Sequence, residues 1–154
     1  MATIPPPATE NTTTTPAAPI VPNTIYLIRH GEKPSGDGEG LSAAGEVRAQ
    51  ALARVFGKDS PYNIGYILAE KPHKHEHRAR PVETVTPLAA SLGLTVDTSC
   101  ERDDAPAVAR AVSAFAATSD KNILICWEHK ALRDIAAGLG VIDPPHYPGE
   151  EYVL

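Results

Sequence analysis

Thr24-Ile25-Tyr26-Leu27-Ile28-Arg29-His30-Gly31-Glu32 is a run of bulky, β-favouring residues that stops on an arginine, a histidine and a glycine. The continuous apolar segment Ile25 to Ile28 predicts a strand buried on both faces of a sheet, running into a loop at its carboxyl end. Open α/β sheets bind their ligands at that end. Arg29 offers a planar fork of donors suited to phosphate, His30 an imidazole able to act as a nucleophile, and Gly31 room for close backbone approach. The three together point to phosphoryl chemistry. A structural histidine beside a surface arginine is the plainer alternative, and a second arginine and histidine at comparable positions would decide between them.

Both follow. Asn122-Ile123-Leu124-Ile125-Cys126-Trp127 is another continuous apolar run, ending at once in Glu128-His129 and a helix from Lys130 to Leu139. Two strands that each carry a histidine at the end can lie side by side in a parallel sheet, with both imidazoles in one crevice. Arg80-Pro81-Val82-Glu83-Thr84 opens a helix with Pro81 at its first turn and an apolar stripe of Val85, Leu88 and Leu92 up to Gly93. Arg80 therefore falls at a helix N-terminus, where backbone N–H groups and the helix dipole already favour an anion.

The intervening segments complete the α/β alternation. Lys33 to Gly40 is a glycine-rich acidic loop, placed to cover a site. A helix then starts with Ser42 as N-cap and stops at Gly57, with Val47, Ala51, Leu52 and Val55 as its apolar positions and Arg48, Gln50 and Arg54 on its solvent face. Ile64 to Ala69 predicts a second strand and Leu94 to Asp97 a short third one, followed by an alanine-rich helix from about Ala105 to Ala117. Asp104 is a good N-cap for that helix. A carboxylic acid near a bound phosphate dianion would equally have its pKa raised and could protonate a leaving oxygen, which makes Asp104 and Glu101 the two candidate proton donors. His73, His75 and His77 alternate in the loop after the second strand, which suits a metal site, but Lys74 and Arg78 interleave and a solvated basic loop is the preferred reading.

Composition bounds the function. The 154 residues suffice for one domain, and a formal charge of -5 argues against a general nucleic-acid or anionic-membrane surface, so an anion site must be a local basic pocket. Residues 1-23 are rich in Pro, Thr and Ala and read as a disordered leader, leaving residues 24-154 as the folded domain. The first residues lack the basic start and apolar core expected of a signal peptide, and no apolar run approaches the roughly 20 residues needed to span a bilayer. Cys100 and Cys126 suggest no disulfide framework. A cytoplasmic protein with no membrane or nucleic-acid partner is expected; oligomeric state is unreadable.

Arg29-His30-Gly31, Arg80 and His129, in this order, make residues 24 to 140 similar to the histidine phosphatase superfamily, the phosphoglycerate mutase-like proteins. The resemblance also takes in Leu41-Ser42-Ala43-Ala44-Gly45. It implies a three-layer α/β/α sandwich with a mostly parallel central sheet. It implies His30 as the phosphorylated nucleophile and Arg29, Arg80 and His129 as the phosphate-binding set, with no cofactor and no metal. The implied activity is hydrolysis of a small phosphate ester or a phosphoprotein through a phosphohistidine, working best at mildly acidic pH. A phosphate-binding regulatory module with little turnover, and a repurposed enzyme doing non-phosphoryl acid/base chemistry on a metabolite, are the alternatives. The chain departs from the family pattern in three places. Trp127-Glu128-His129-Lys130 stands where the family has Gly-His-Gly, the Leu94 to Ala105 connection is short, and the brief C-terminal part leaves the final strand incomplete.

Overall fold

A computed structural model describes residues 21–35, 38–73 and 79–145. In chain order its elements are β1 (Ile25–Arg29), α1 (Ala43–Val55), β2 (Ile64–Ala69), α2 (Arg80–Leu92), α3 (Ala105–Ala116), β3 (Asn122–Trp127) and α4 (His129–Gly138). The three strands form one parallel sheet in the order β1-β3-β2. As the continuous apolar run requires, β3 is central and nearly all buried.

Pleating sorts the side chains into two cores, one on each face. Ile123, Ile125 and Trp127 pack with Leu68 and with Val108, Val112, Leu132 and Ile135 from α3 and α4. On the opposite face Leu124 and Cys126 join Ile67 and Ala69, covered by Phe56 and by Val85, Leu88 and Ala89 of α2. Helices on both faces of a parallel sheet make the expected three-layer α/β/α arrangement. The proposed incomplete final strand falls within residues 146–154, outside the described residues. Among the described residues no helix is long and apolar enough to cross a membrane.

Local signals explain most boundaries. Ser42 caps α1 by accepting from the Gly45 N–H at 3.0 Å, and Asp104 caps α3 by accepting from the Ala107 N–H at 3.1 Å. Gly93 ends α2 in the left-handed conformation, φ 67°. Ahead of β1, the buried Asn23 donates its amide to the carbonyls of Ser119 and Lys121 at 2.9 and 2.6 Å.

Two readings of the sequence change. The third strand expected at Leu94 to Asp97 contracts to a single parallel bridge between Asp97 and Leu68. The Asp97 carboxylate accepts from the Ser99 N–H at 2.9 Å and from the Tyr66 hydroxyl, which turns the chain away as soon as it reaches the sheet edge. The buried face of α1 also differs: Gly45 and Ala49 point inward, whereas Val47 and Val55 are 66% and 49% exposed. Close approach decides this. A Cβ on Gly45 would meet the Glu32 carbonyl oxygen at 2.5 Å, so only the small-residue face fits against the loop after β1. Arg48, expected in solvent, is half-buried and pairs with Glu32.

This packing sets apart two aliphatic truncations. Leu88→Ala, at a fully buried position, is expected to cost about 2–5 kcal/mol of stability, and Val47→Ala no more than about 0.5 kcal/mol. Denaturant midpoints of the two variants check this ordering, and equal losses would contradict it.

Candidate active site

The register between β1 and β3 builds the site. Arg29 pairs with Trp127, the last residues of their strands, and the His30 N–H donates to the Trp127 carbonyl at 3.3 Å. His30 therefore leaves the sheet beside Glu128 and His129, and His129 is the first residue of α4. The backbone pairing brings both histidine-bearing turns to the carboxyl edge of the sheet, and the Arg29 and Glu128 charges act on each imidazole.

His30 is held in a defined tautomer. Its Nδ1 lies 2.7 Å from the Gly31 carbonyl oxygen, which can only accept, so Nδ1 carries the proton and Nε2 presents a lone pair. Burial lowers the His30 pKa below its ordinary 6.5, and the Arg29 and Arg80 charges add to the effect against the Gly31 hydrogen bond and Glu128. His129 is also lowered, by burial first and then by Arg29, Lys130 and Lys33, with Glu128 opposing. Both imidazoles are thus biased toward the neutral form.

The loop after His30 is fastened from α2. The Gly31 N–H donates to Thr84 Oγ1 at 2.8 Å, and the Thr84 hydroxyl donates to the Arg80 carbonyl at 2.7 Å, with Thr84 fully buried. Arg80 begins α2, as its sequence position indicates. Its Nε donates to the Gly40 carbonyl and a terminal nitrogen to the Gly38 carbonyl, both at 2.7 Å. Two of its five N–H donors thereby hold the glycine-rich loop while its charge reaches His30. Gly40 itself adopts φ 74°, a conformation that suits glycine.

The two candidate proton donors sit differently. Glu101 is 66% exposed and pairs with Lys71 at 3.0 Å, whereas the Asp104 carboxylate is engaged as the cap of α3. His73 is exposed, and His75 and His77 lie outside the described residues. Cys100 and Cys126 are buried free thiols.

Three contributors to this region were not singled out from the sequence. Thr84 anchors Gly31, Arg102 donates from Nε to Glu128 Oε2 at 2.6 Å, and the fully buried Glu70, just past β2, accepts from the Glu128 N–H at 3.2 Å. A groove of about 1040 Å³ between α1 and α2 adjoins the site at Gly40, but neither histidine lines it.

Among solved structures, the chain is similar to that of a candidate phosphohistidine phosphatase, SixA, from Agrobacterium tumefaciens, at 21% sequence identity and a TM-score of 0.53, with 75% of each chain covered. It is also similar to a structure described as mycobacterial hydrolase 1, at 17% identity and a TM-score of 0.51, covering 78% of this chain and 81% of that one. No protein-family model and no curated protein matches. At these identities the likeness defines the fold: an α/β fold of the kind seen in SixA.

Thr84 offers a direct test of the scaffold. Thr84→Val keeps the shape but leaves the buried Gly31 N–H without its acceptor, which is expected to cost about 1–3 kcal/mol. Thermal unfolding measures that loss, and a variant as stable as wild type would show that Thr84 does not hold the loop.

Proposed function

We propose that the protein is a phosphatase that hydrolyses a phosphomonoester or phosphoprotein through a phosphohistidine on His30. The observation that carries this reading is the His30 imidazole, with Nδ1 donating to the Gly31 carbonyl and its pKa lowered first by burial and then by Arg29 and Arg80. The fold likeness to SixA supports it, and the description of SixA as a candidate phosphohistidine phosphatase favours a phosphoprotein among the substrates.

In the proposed reaction the Nε2 lone pair attacks phosphorus, forming the N–P bond as the P–O bond to the leaving group breaks. The leaving oxygen takes a proton from a carboxylic acid. Glu101 suits that role better than Asp104, because an exposed pairing with Lys71 is weak and easily exchanged, whereas Asp104 is tied to backbone. Water then attacks phosphorus as the carboxylate left from the first step takes its proton, the N–P bond breaks, and inorganic phosphate leaves with the imidazole and the carboxylic acid both restored. Arg29, Arg80 and His129 bind the phosphoryl oxygens and offset the charge that develops on them. Contact with the dianion favours the cationic form of His129, against its lowered pKa in the free protein. No step calls for a metal.

The pH dependence follows from His30. Protonation of Nε2 removes the nucleophile, and because its pKa lies below 6.5, kcat/KM is expected to hold at mildly acidic pH and fall only below that value. The same shift acts on stability. The unfolded chain binds more protons than the native state between the lowered pKa and 6.5, so His30 adds stability at higher pH that is lost on acidification through this window.

Hydrolysis of a generic aryl phosphate, with and without a chelator, tests the reading. Turnover is expected to survive the chelator and to vanish in His30→Ala, while Arg80→Ala is expected to lose roughly 10²–10³-fold in kcat/KM. Turnover that persists in His30→Ala would overturn the mechanism. Phosphate binding without turnover would favour the second reading, a binding or regulatory module, which the Glu128 carboxylate beside both histidines motivates.

A further inference from the structure

Both residues that lead into His129 are held by one arginine. Trp127 is fully buried and its indole Nε1 donates to the Arg102 carbonyl at 2.9 Å. Glu128 Oε2 accepts from Arg102 Nε at 2.6 Å, with the two side chains only 20% and 27% exposed. Although Glu128 occupies the N-cap position of α4, its side chain makes no capping bond. Its backbone N–H is fixed by the fully buried Glu70.

The surrounding charges make this pairing consequential. The charges of Arg29, Arg80 and Glu128 act on His30, and those of Arg29, Lys33, Lys130 and Glu128 act on His129. Arg102 faces Glu128, Asp103 and Glu70, and donates from Nη1 to Asp103 Oδ1 at 2.7 Å. Among the described residues, Glu128 is thus the carboxylate that acts on both histidines, where the other charges acting on them are cations. Without a partner, its carboxylate would repel a phosphate dianion and draw protons onto both imidazoles. A shielded pair of this kind is also costly to break from one side only.

We propose that Arg102 is a positioning residue that keeps the Glu128 carboxylate neutralised at the rim of the anion pocket and fixes the turn from Trp127 into His129. This deepens the phosphate-pocket reading and rests on it. It also accounts for how a glutamate is tolerated immediately before the second histidine.

The test compares wild type with Arg102→Gln, Arg102→Lys, Glu128→Gln and the Arg102→Gln/Glu128→Gln double variant. Affinity for inorganic phosphate is measured by calorimetry, and the pKa values of His30 and His129 by NMR. Arg102→Gln is expected to weaken phosphate binding by about tenfold or more and to raise both histidine pKa values, the effect of a carboxylate that has lost its guanidinium partner. Arg102→Lys should lie between it and wild type, and supplies the comparison should Arg102→Gln fail to fold. Glu128→Gln should bind phosphate at least as well as wild type, and the double variant should recover to the Glu128→Gln level. A double variant as weak as Arg102→Gln, or single Arg102 variants indistinguishable from wild type in affinity and titration, would overturn the proposal. A wild type that neither binds phosphate nor hydrolyses an aryl phosphate would refute the phosphatase reading separately, and the histidine titrations would still decide whether Arg102 shields Glu128.

Discussion

Parallel pairing of β1 with β3, in a register that sets Arg29 opposite Trp127, is the constraint on which the rest of the molecule depends. A slip of one residue would send every side chain of β1 to the other face. Ile25 and Leu27 would then leave the core beneath α3 and α4, and Tyr26 and Ile28 the core beneath α2. The same register fixes the chemistry, because it brings the chain leaving β1 at His30 alongside the chain entering α4 at His129. Both cores and the placement of the two histidines therefore answer to one set of backbone hydrogen bonds.

Around that frame, α2 does for the loop after β1 what Arg102 does for the segment before α4. Thr84 holds the Gly31 N–H, Arg80 holds the Gly38 and Gly40 carbonyls, and Gly45 lets α1 approach the Glu32 backbone. These contacts stiffen a loop whose own sequence, rich in glycine, favours no single conformation. The protein carries a formal charge of -5, yet Arg29 acts on both histidines, Arg80 on His30, and Lys33 and Lys130 on His129. A local concentration of cations at a strand edge is what the proposed phosphate site requires in an acidic protein.

The parts legible in the sequence are those set by local pattern. Continuous apolar runs mark β1 and β3, Ser42 and Asp104 mark helix starts, and the repeated strand-then-histidine pattern falls on two strands that pair side by side in parallel. What the sequence conceals is long-range or depends on shape. Thr84 and Arg102 act on partners 53 and 26 residues away, and a buried threonine or a loop arginine carries no periodic signal. The buried face of α1 is hidden for a different reason: its fully buried positions are Gly45 and Ala49, while Val47 and Val55 are left outside and Leu52 packs only partly against the core. Leu94 to Asp97 has strand-like composition, but the aspartate that ends it makes the hydrogen bonds that turn the chain away.

The central claim is that His30 becomes phosphorylated, and the most direct measurement is to trap it. The wild-type protein would be mixed with an aryl phosphate, quenched in alkaline denaturant and digested, and its peptides read by mass spectrometry. The account predicts one acid-labile, alkali-stable phosphoryl group on the peptide containing His30. Turnover without label on that peptide, or with label on a different residue, would contradict it.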